Sequence, residues 1–355
     1  MAIVKKGRGY GELEYVNFAF NNDKLDLLPG EAVVKIKSGS VCGSDVHAYK
    51  DVADYAKLDL PRILGHECSG VIKQINVSDQ EKLDNRLDIG DSIVIDPLME
   101  CGECSACKTG HSNVCYNRKT LGFQLNGVFS EYTKVKLNHI IRQPKGLDHS
   151  LASLTEPLTI AINAIKRSNL NFDDKDKDVV LFGSGKIALF IGSILRKVKK
   201  MERVSVVGTR QDEEFRLPHF AEVGIDTYLF EENFDKFGNP LPASKLRDKH
   251  HCAFEVSGEG AGLVGAMNTV KNTGNVILVG LFEAPVNIVM SSVVRTEKNL
   301  VGSYGSKHED FVTALEYIKH GIIDRNIITD YKPEDFNNAF EDYRNKKVIT
   351  AIFGF

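Results

Sequence analysis

The chain has 355 residues, 42 % of them hydrophobic and 26 % charged, with a formal net charge of −3. That length exceeds one comfortable hydrophobic core, so two domains are expected. Intermixed charges of both signs give no basic face for nucleic acid or for a membrane surface, and no run of about 18 uninterrupted apolar residues offers a membrane span.

The opening MAIVKKGRGYGELEY lacks the apolar core of a secretion signal, so the cytoplasm is the expected compartment. Its cysteines are then expected as reduced thiols or metal ligands. Through residue 152 the chain carries short apolar, β-branched runs cut by Gly, Pro and Asp: EAVVKIKSGSV, GVIKQINV, DSIVIDP and FSEYTKVKL. These read as the many short strands of a β-rich domain. Inside it lies CGECSACKTGHSNVC, which gathers Cys101, Cys104, Cys107 and Cys115, four of the seven cysteines. Thiolates are the preferred ligands of a closed structural zinc, and the longer gap before Cys115 gives the slack to fold back. A redox dithiol or four unrelated cysteines are the alternatives; a regular triplet plus a fourth thiol suits a metal better.

Near Asp148 the pattern changes. SLASLTEPLTIAINAIKR reads as a helix and NFDDKDKD as a charged link. DVVLFG, KIALFIGSILRKVKK, RVSVVG, CAFEVSG, AGLVGAMNTVK and NVILVG then alternate strands with helices, which predicts a doubly wound parallel sheet. Between the first such strand and helix sit Gly183, Ser184, Gly185, Lys186, Ile187 and Ala188. Gly183 permits a tight turn, Gly185 lets the backbone approach a pyrophosphate, and small Ala188 allows close helix–strand packing. The helix N-terminus then offers free N–H groups to the phosphates; a ligand-free glycine turn is the alternative. The next strand ends in Gly208, Thr209 and Arg210, where an acidic residue gripping the ribose 2′-OH is usual. Gly would make room for a 2′-phosphate, Thr would hydrogen-bond it and Arg would pair with it. NADP(H) is therefore expected over NAD(H), unless Arg210 is a solvated loop residue and Asp212 takes the acidic role. The tail from Asn299 returns to mixed helix and strand. The expected domains are 1–152, 153–298 and a return to the first domain over 299–355.

Several segments now fall into one order: Cys42-Gly43-Ser44-Asp45-Val46-His47, Gly65-His66-Glu67, the cysteine run, Thr155-Glu156-Pro157-Leu158 and the glycine turn. Over nearly the whole chain this resembles the zinc-dependent medium-chain alcohol and polyol dehydrogenases. The resemblance implies an α/β protein, with a β-rich GroES-like catalytic domain and a Rossmann domain. It implies two zincs per chain: a structural one in a lobe at about 97–118, and a catalytic one on Cys42, His66 and Glu156. Glu67 would lie beside that metal as an alternate ligand, and Asp45 would orient His66. Ser44 would take the alcohol proton and His47 would pass it to solvent. Each has a plainer reading: His66 a satisfied core histidine, Cys42 a buried filler, Glu156 a helix N-terminal carboxylate, His47 a surface histidine. Cys68 and Cys252 match no ligand position and read as structural.

The implied reaction moves hydride between NADP(H) and a small-molecule polyol, sugar or other secondary alcohol or ketone. A threonine-like β-hydroxy amino acid dehydrogenase is the alternative enzyme, and a cofactor-binding structural protein the non-enzyme one. Where sorbitol dehydrogenases tend to carry an arginine within GSFRY, this chain has Gly302-Ser303-Tyr304-Gly305-Ser306, which favours a microbial-type polyol or sugar-acid enzyme. The apolar run NVILVGLFEAPVNIVMSS would be a hazard as a bare sheet edge, and the resemblance implies that this region extends the sheet across an interface, so a homodimer or homotetramer is expected.

Overall fold

In a computed structural model of the chain, residues 1–17, 27–52, 55, 58–77, 87–305 and 307–355 are described; Ser306 of the GSYGS segment lies outside them. The chain divides into two compact units, Met1–Thr159 with Gly305–Phe355, and Ile160–Tyr304. Together they make an α/β protein.

The first unit is organised around the strand Glu31–Ser40, whose β-branched residues are buried along most of its length. One edge pairs antiparallel with Glu67–Asn76. Along the other, its first half pairs with Tyr132–Lys136 and its end with the C-terminal strand Thr350–Gly354. The sheet runs Ile140–Arg142, Ser92–Ile95, Glu67–Asn76, Glu31–Ser40, Thr350–Gly354 and Ile328–Tyr331, and only the last pair is parallel. Val34, Ile36, Ile72, Ile93, Phe129 and Phe353 close its core, with Phe129 edge-on to Phe353 at 5.2 Å. Each such side chain contributes about 1.5–3 kcal/mol on burial. One register pair positions the chemistry: Ser40 lies opposite Glu67. The end of one strand and the start of its neighbour therefore bring Cys42 and His66-Glu67 to the same end of the sheet.

The second unit is a six-stranded sheet, wholly parallel, in the order Asp226–Leu229, Val204–Gly208, Val179–Phe182, His250–Glu255, Val270–Leu278, Asn299–Gly302. This is the doubly wound dinucleotide order, with the first strand near the centre. Val179–Phe182 and Val204–Gly208 are buried throughout, as a sheet covered on both faces requires.

Two boundaries differ from those read in the sequence. The first break falls after Thr159, within the helix Thr155–Arg167 and a few residues beyond the expected division. The second falls after Tyr304, because Asn299–Gly302 is the sixth strand of the nucleotide sheet, in register with Asn275–Leu278. For the same reason the apolar NVIL piece is not an edge: it is paired on both sides, and the edge is Asn299–Gly302. The run's last residues belong instead to the helix Met290–Thr296. Among the described residues no helix is long and apolar enough to cross a membrane.

Candidate functional site

Cys42 leaves the strand Glu31–Ser40 and caps the helix Gly43–Lys50 from an extended backbone, φ −97° and ψ 157°. His66 and Glu67 enter the neighbouring strand after Gly65, whose φ is +87°. A Cβ at Gly65 would lie 2.4 Å from Phe129 Cδ1, so the turn that delivers His66 needs glycine twice over. The result is a cluster in which the ligand atoms of Cys42, His66 and Glu67 all lie within 4.8 Å of one another.

Asp45 ties the two segments together. Fully buried, it accepts the Cys42 N–H on Oδ2 at 3.0 Å and the Gly65 N–H on Oδ1 at 3.2 Å. The same Oδ1 lies 3.5 Å from His66 Nδ1. Nδ1 therefore faces the carboxylate, and Nε2 is left for the cluster, 3.5 Å from Ser44 Oγ. A carboxylate behind a histidine is the arrangement that fixes a metal-ligating imidazole. Burial alone would pull the His66 pKa down; Asp45 and Cys42 outweigh it and raise the value well above the ordinary one. Surroundings that hold a proton on a buried imidazole also favour a divalent cation, and sulfur, nitrogen and carboxylate oxygen are zinc's donor set.

Glu156 is buried in the first turn of the helix Thr155–Arg167 and does not join this group. The carboxylate gathered with Cys42 and His66 is that of Glu67, which rides on the same strand entry as the histidine. His47, one turn after Ser44, stacks on Tyr55 at 5.7 Å with the rings 10° apart. Tyr55 meets Phe123 at 5.1 Å, and Phe123 meets His66 at 5.3 Å. This aromatic wall escaped the sequence reading, because Tyr55 and Phe123 are lone aromatics that only the fold brings to the cluster. Cys68 and Cys252 are fully buried and burial pushes both thiols up, which makes them inert.

The four-cysteine loop is pinched at its base by the antiparallel strands Leu98–Met99 and Lys119–Thr120. Cys101 and Cys115 Sγ are 3.4 Å apart, Cys104 and Cys107 3.5 Å, and Cys104 and Cys115 3.8 Å. Sulfurs about 2.3 Å from one ion at tetrahedral angles would stand about 3.8 Å apart, so the set fits a zinc with little adjustment. The N–H groups of Cys101 and Asn117 point at Cys115 Sγ, at 3.4 and 3.3 Å. Backbone N–H groups of Cys107 and Tyr116 draw the Cys104 thiol down to about 6, and those of Glu103 and Cys104 lower Cys101. Cys107 moves the other way, raised by burial and by the neighbouring Cys104 sulfur.

In the second unit the glycine turn has the form its sequence suggests. Gly183 takes φ +109°, with Ser257 N 3.0 Å from where a Cβ would sit. Gly185 caps the helix Lys186–Ser193, and no atom lies within 4 Å of its missing Cβ. That open space over a helix N-terminus fits a pyrophosphate. Ser184 and Lys186 are buried beside it, Ile187 half-buried, and Ala188 packs inward.

The end of the next strand differs from expectation. A Cβ on Gly208 would meet Leu217 Cδ2 at 2.8 Å, so the missing side chain faces the interior and opens no room for a phosphate. Thr209 spends its hydroxyl on Asp212 Oδ2 at 2.6 Å and its N–H on the same oxygen at 2.8 Å. Asp212, buried, is thereby held as the cap of this turn. Arg210 stands exposed. Its N–H faces the two Glu231 carboxylate oxygens at 3.3 and 3.2 Å, and its Nη2 lies 3.6 Å from Glu232 Oε1.

The chain is similar to known proteins over its whole length. Residues 28–145 match the alcohol dehydrogenase GroES-like domain, and residues 149–353, more than half the chain, match the glucose dehydrogenase C-terminus. An L-threonine 3-dehydrogenase of Pyrococcus horikoshii is 27 % identical, covering 99 % of this chain and 98 % of its own. A sorbitol dehydrogenase of Halalkalibacterium halodurans is also 27 % identical, over 99 % and 98 %. The solved structure of an E. coli CFT073 alcohol dehydrogenase complexed with NADH superposes with a TM-score of 0.83 at 23 % identity, covering 100 % of this chain and 98 % of its own.

Proposed function

The chain belongs to the zinc-type medium-chain alcohol and polyol dehydrogenases, and on that premise we propose that it moves a hydride between NADP(H) and a polyol, sugar or other secondary alcohol or its ketone. As a member it is an oxidoreductase acting on CH–OH groups of small molecules, with zinc and a nicotinamide nucleotide as cofactors. The reading of a structural protein without activity is set aside by that membership. The observation that carries the proposal is the convergence of Cys42, His66 and Glu67, with Asp45 behind the histidine and Ser44 beside it.

Cys42, His66 and a carboxylate, Glu67 or Glu156, would hold one zinc, and Cys101, Cys104, Cys107 and Cys115 a second. Bound at the first site, zinc would supply Lewis acidity, and a nicotinamide nucleotide would supply the hydride-transfer chemistry. The chain's own residues do the rest. Ser44 Oγ takes the substrate's hydroxyl proton, and His47, one turn further along the same helix, passes it to solvent. Tyr55 and Phe123 shield the reacting atoms from water and fix the planes of the two histidines. Gly183 to Ile187 hold the pyrophosphate. Arg210 is the residue left to meet a 2′-phosphate, since Asp212 is turned inward; that supports NADP(H) over NAD(H).

A β-hydroxy amino acid such as threonine is the second reading, favoured by the P. horikoshii relative, which matches as fully as the sorbitol enzyme does. A homodimer or homotetramer is supported by Val289, Met290 and Val294, exposed at 73 %, 57 % and 73 % just before the edge strand Asn299–Gly302. Thiols arranged for metal suit a reducing compartment, the cytoplasm.

The test is a panel of polyols, keto-sugars and β-hydroxy amino acids with each cofactor, on zinc-loaded protein. Turnover of polyols or keto-sugars with NADPH supports the proposal; turnover confined to β-hydroxy amino acids moves the chain to the second reading. Zinc analysis of Glu67→Gln and Glu156→Gln then identifies the third ligand. The geometry predicts the larger loss for Glu67→Gln.

A further inference from the structure

The second unit already holds anions of its own where the adenosine ribose is read. The strands Val204–Gly208 and Asp226–Leu229 run parallel with Gly208 opposite Leu229, so their C-terminal ends lie side by side. Ligands of open α/β sheets bind at those ends. Thr209 to Asp212 follow the first strand, and Glu231 and Glu232 follow the second. Thr209 and Asp212 are committed to each other. The donors facing outward are the Arg210 N–H, in reach of both oxygens of Glu231, and the Arg210 guanidinium, 3.6 Å from Glu232.

We propose that Glu231 and Glu232 set the cofactor preference, by competing with the cofactor's 2′-phosphate for the donors of Arg210. The inference rests on the reading of Arg210 as the 2′-phosphate residue. A phosphate monoester carries about −1.5 to −2 charges near neutral pH, so it must displace Glu231 from the amide and sit against Glu232. A bare 2′-OH carries no charge and meets no such competition. The two glutamates thus weaken NADP(H) while leaving NAD(H) untouched, and Arg210 alone does not fix the ratio.

Glu231→Gln and Glu232→Gln remove the charge and keep the shape. Both side chains are exposed, so the substitutions do not threaten the fold. An exposed charge pair is weak, so each variant is expected to bind NADP⁺ about two- to fivefold more tightly. The gain shrinks at high salt, because solvent-exposed charges are screened.

The experiment is calorimetric titration of the zinc-loaded enzyme with NADP⁺ and with NAD⁺, at low and high salt, for wild type, both variants and Arg210→Ala. Tighter NADP⁺ with unchanged NAD⁺ in Glu231→Gln or Glu232→Gln supports the proposal. Unchanged affinity for both cofactors in both variants overturns it. Weaker NAD⁺ binding in Glu231→Gln also overturns it, by making Glu231 the acceptor of the ribose hydroxyl. Arg210→Ala separates the two levels: if it leaves NADP⁺ affinity at the wild-type value, the Arg210 reading itself falls.

Discussion

Asp45→Asn is the substitution that tests most of the candidate site at once. It keeps the volume and one oxygen of a fully buried carboxylate but turns the other oxygen into a donor. With the amide oxygen in the place of Oδ1, Gly65 N–H and His66 keep their partner, while the NH₂ group faces the Cys42 N–H across what was a 3.0 Å hydrogen bond. With the amide flipped, Gly65 and His66 lose theirs instead. The first orientation takes the acceptor from one of the three neighbouring groups and the second takes it from two, so the first is expected. A buried donor left without an acceptor costs about 1–3 kcal/mol, and losing the charge on the remaining bonds brings the total to about 2–4 kcal/mol. Urea unfolding of the zinc-free protein reads that loss. Zinc competition against a chromophoric chelator reads the second effect, a weakening of about 10- to 100-fold when a ligand's outer partner is altered. A variant with wild-type unfolding midpoint and wild-type zinc affinity would refute the coupling of the two ligand segments through Asp45. Lost stability with unchanged zinc affinity would reduce Asp45 to a helix cap.

Three further outcomes are expected. Cys104→Ser should lower the zinc content by about one ion per chain and destabilise the lobe, with activity falling only in step with the folded fraction, as zinc analysis and unfolding beside turnover numbers will show. Gly65→Ala should cost about 2–4 kcal/mol in chemical denaturation, because its Cβ strikes Phe129 at a positive φ. A wild-type midpoint for that variant would mean the His66 turn does not need glycine. His308→Gln tests a pH dependence: a hydrogen bond with Asp96, Nδ1 to Oδ2 3.3 Å, raises the His308 pKa. The folded chain then holds that proton more tightly than the unfolded one. The contribution is full below the ordinary value of 6.5 and is lost as pH rises through the raised folded value. His308 is half exposed, so the wild-type advantage should be about 1 kcal/mol or less at pH 5 and vanish in alkaline buffer. Burial lowers the pKa of His139 in the same small cavity, which contributes the opposite slope; the charge on His308 adds to that lowering, so the substitution relaxes part of it. An advantage that grows with pH would contradict the assignment.

What the sequence made legible is what is local. Four thiols within one loop constrain one another through a few backbone turns, so their spacing already describes a metal cage. The glycine turn is likewise contained between one strand and the helix it opens. The carboxylate beside Cys42 and His66 is not local: Glu67 and Glu156 are both buried, and which of them lies with the other donors depends on how a strand entry and a distant helix are placed. Gly208 shows a second limit. A missing side chain has a direction that spacing cannot reveal, and here it points at Leu217. The two edge strands of the second sheet, Asp226–Leu229 and Asn299–Gly302, were lost because they are short and only partly buried, so they lack the apolar run by which the central strands are recognised.

The two clusters also divide the work on chemical grounds. With zinc bound, four thiolates would complete a tetrahedron and leave no position for a substrate oxygen, so the lobe would act on stability alone. Cys42, His66 and one carboxylate would supply three donors and leave room for a substrate oxygen, with a hydroxyl at Ser44 beside it. The supports differ to match. The lobe's sulfurs are held by backbone N–H groups of the same loop, so its geometry survives changes elsewhere. The open cluster is held through Asp45, which joins a helix start to a strand entry from different stretches of the chain. A shift in either element is transmitted to the ligands through that one carboxylate. Lesions in the lobe should therefore scale with unfolding, whereas lesions around Asp45 should reach zinc affinity and turnover while most of the protein is still folded.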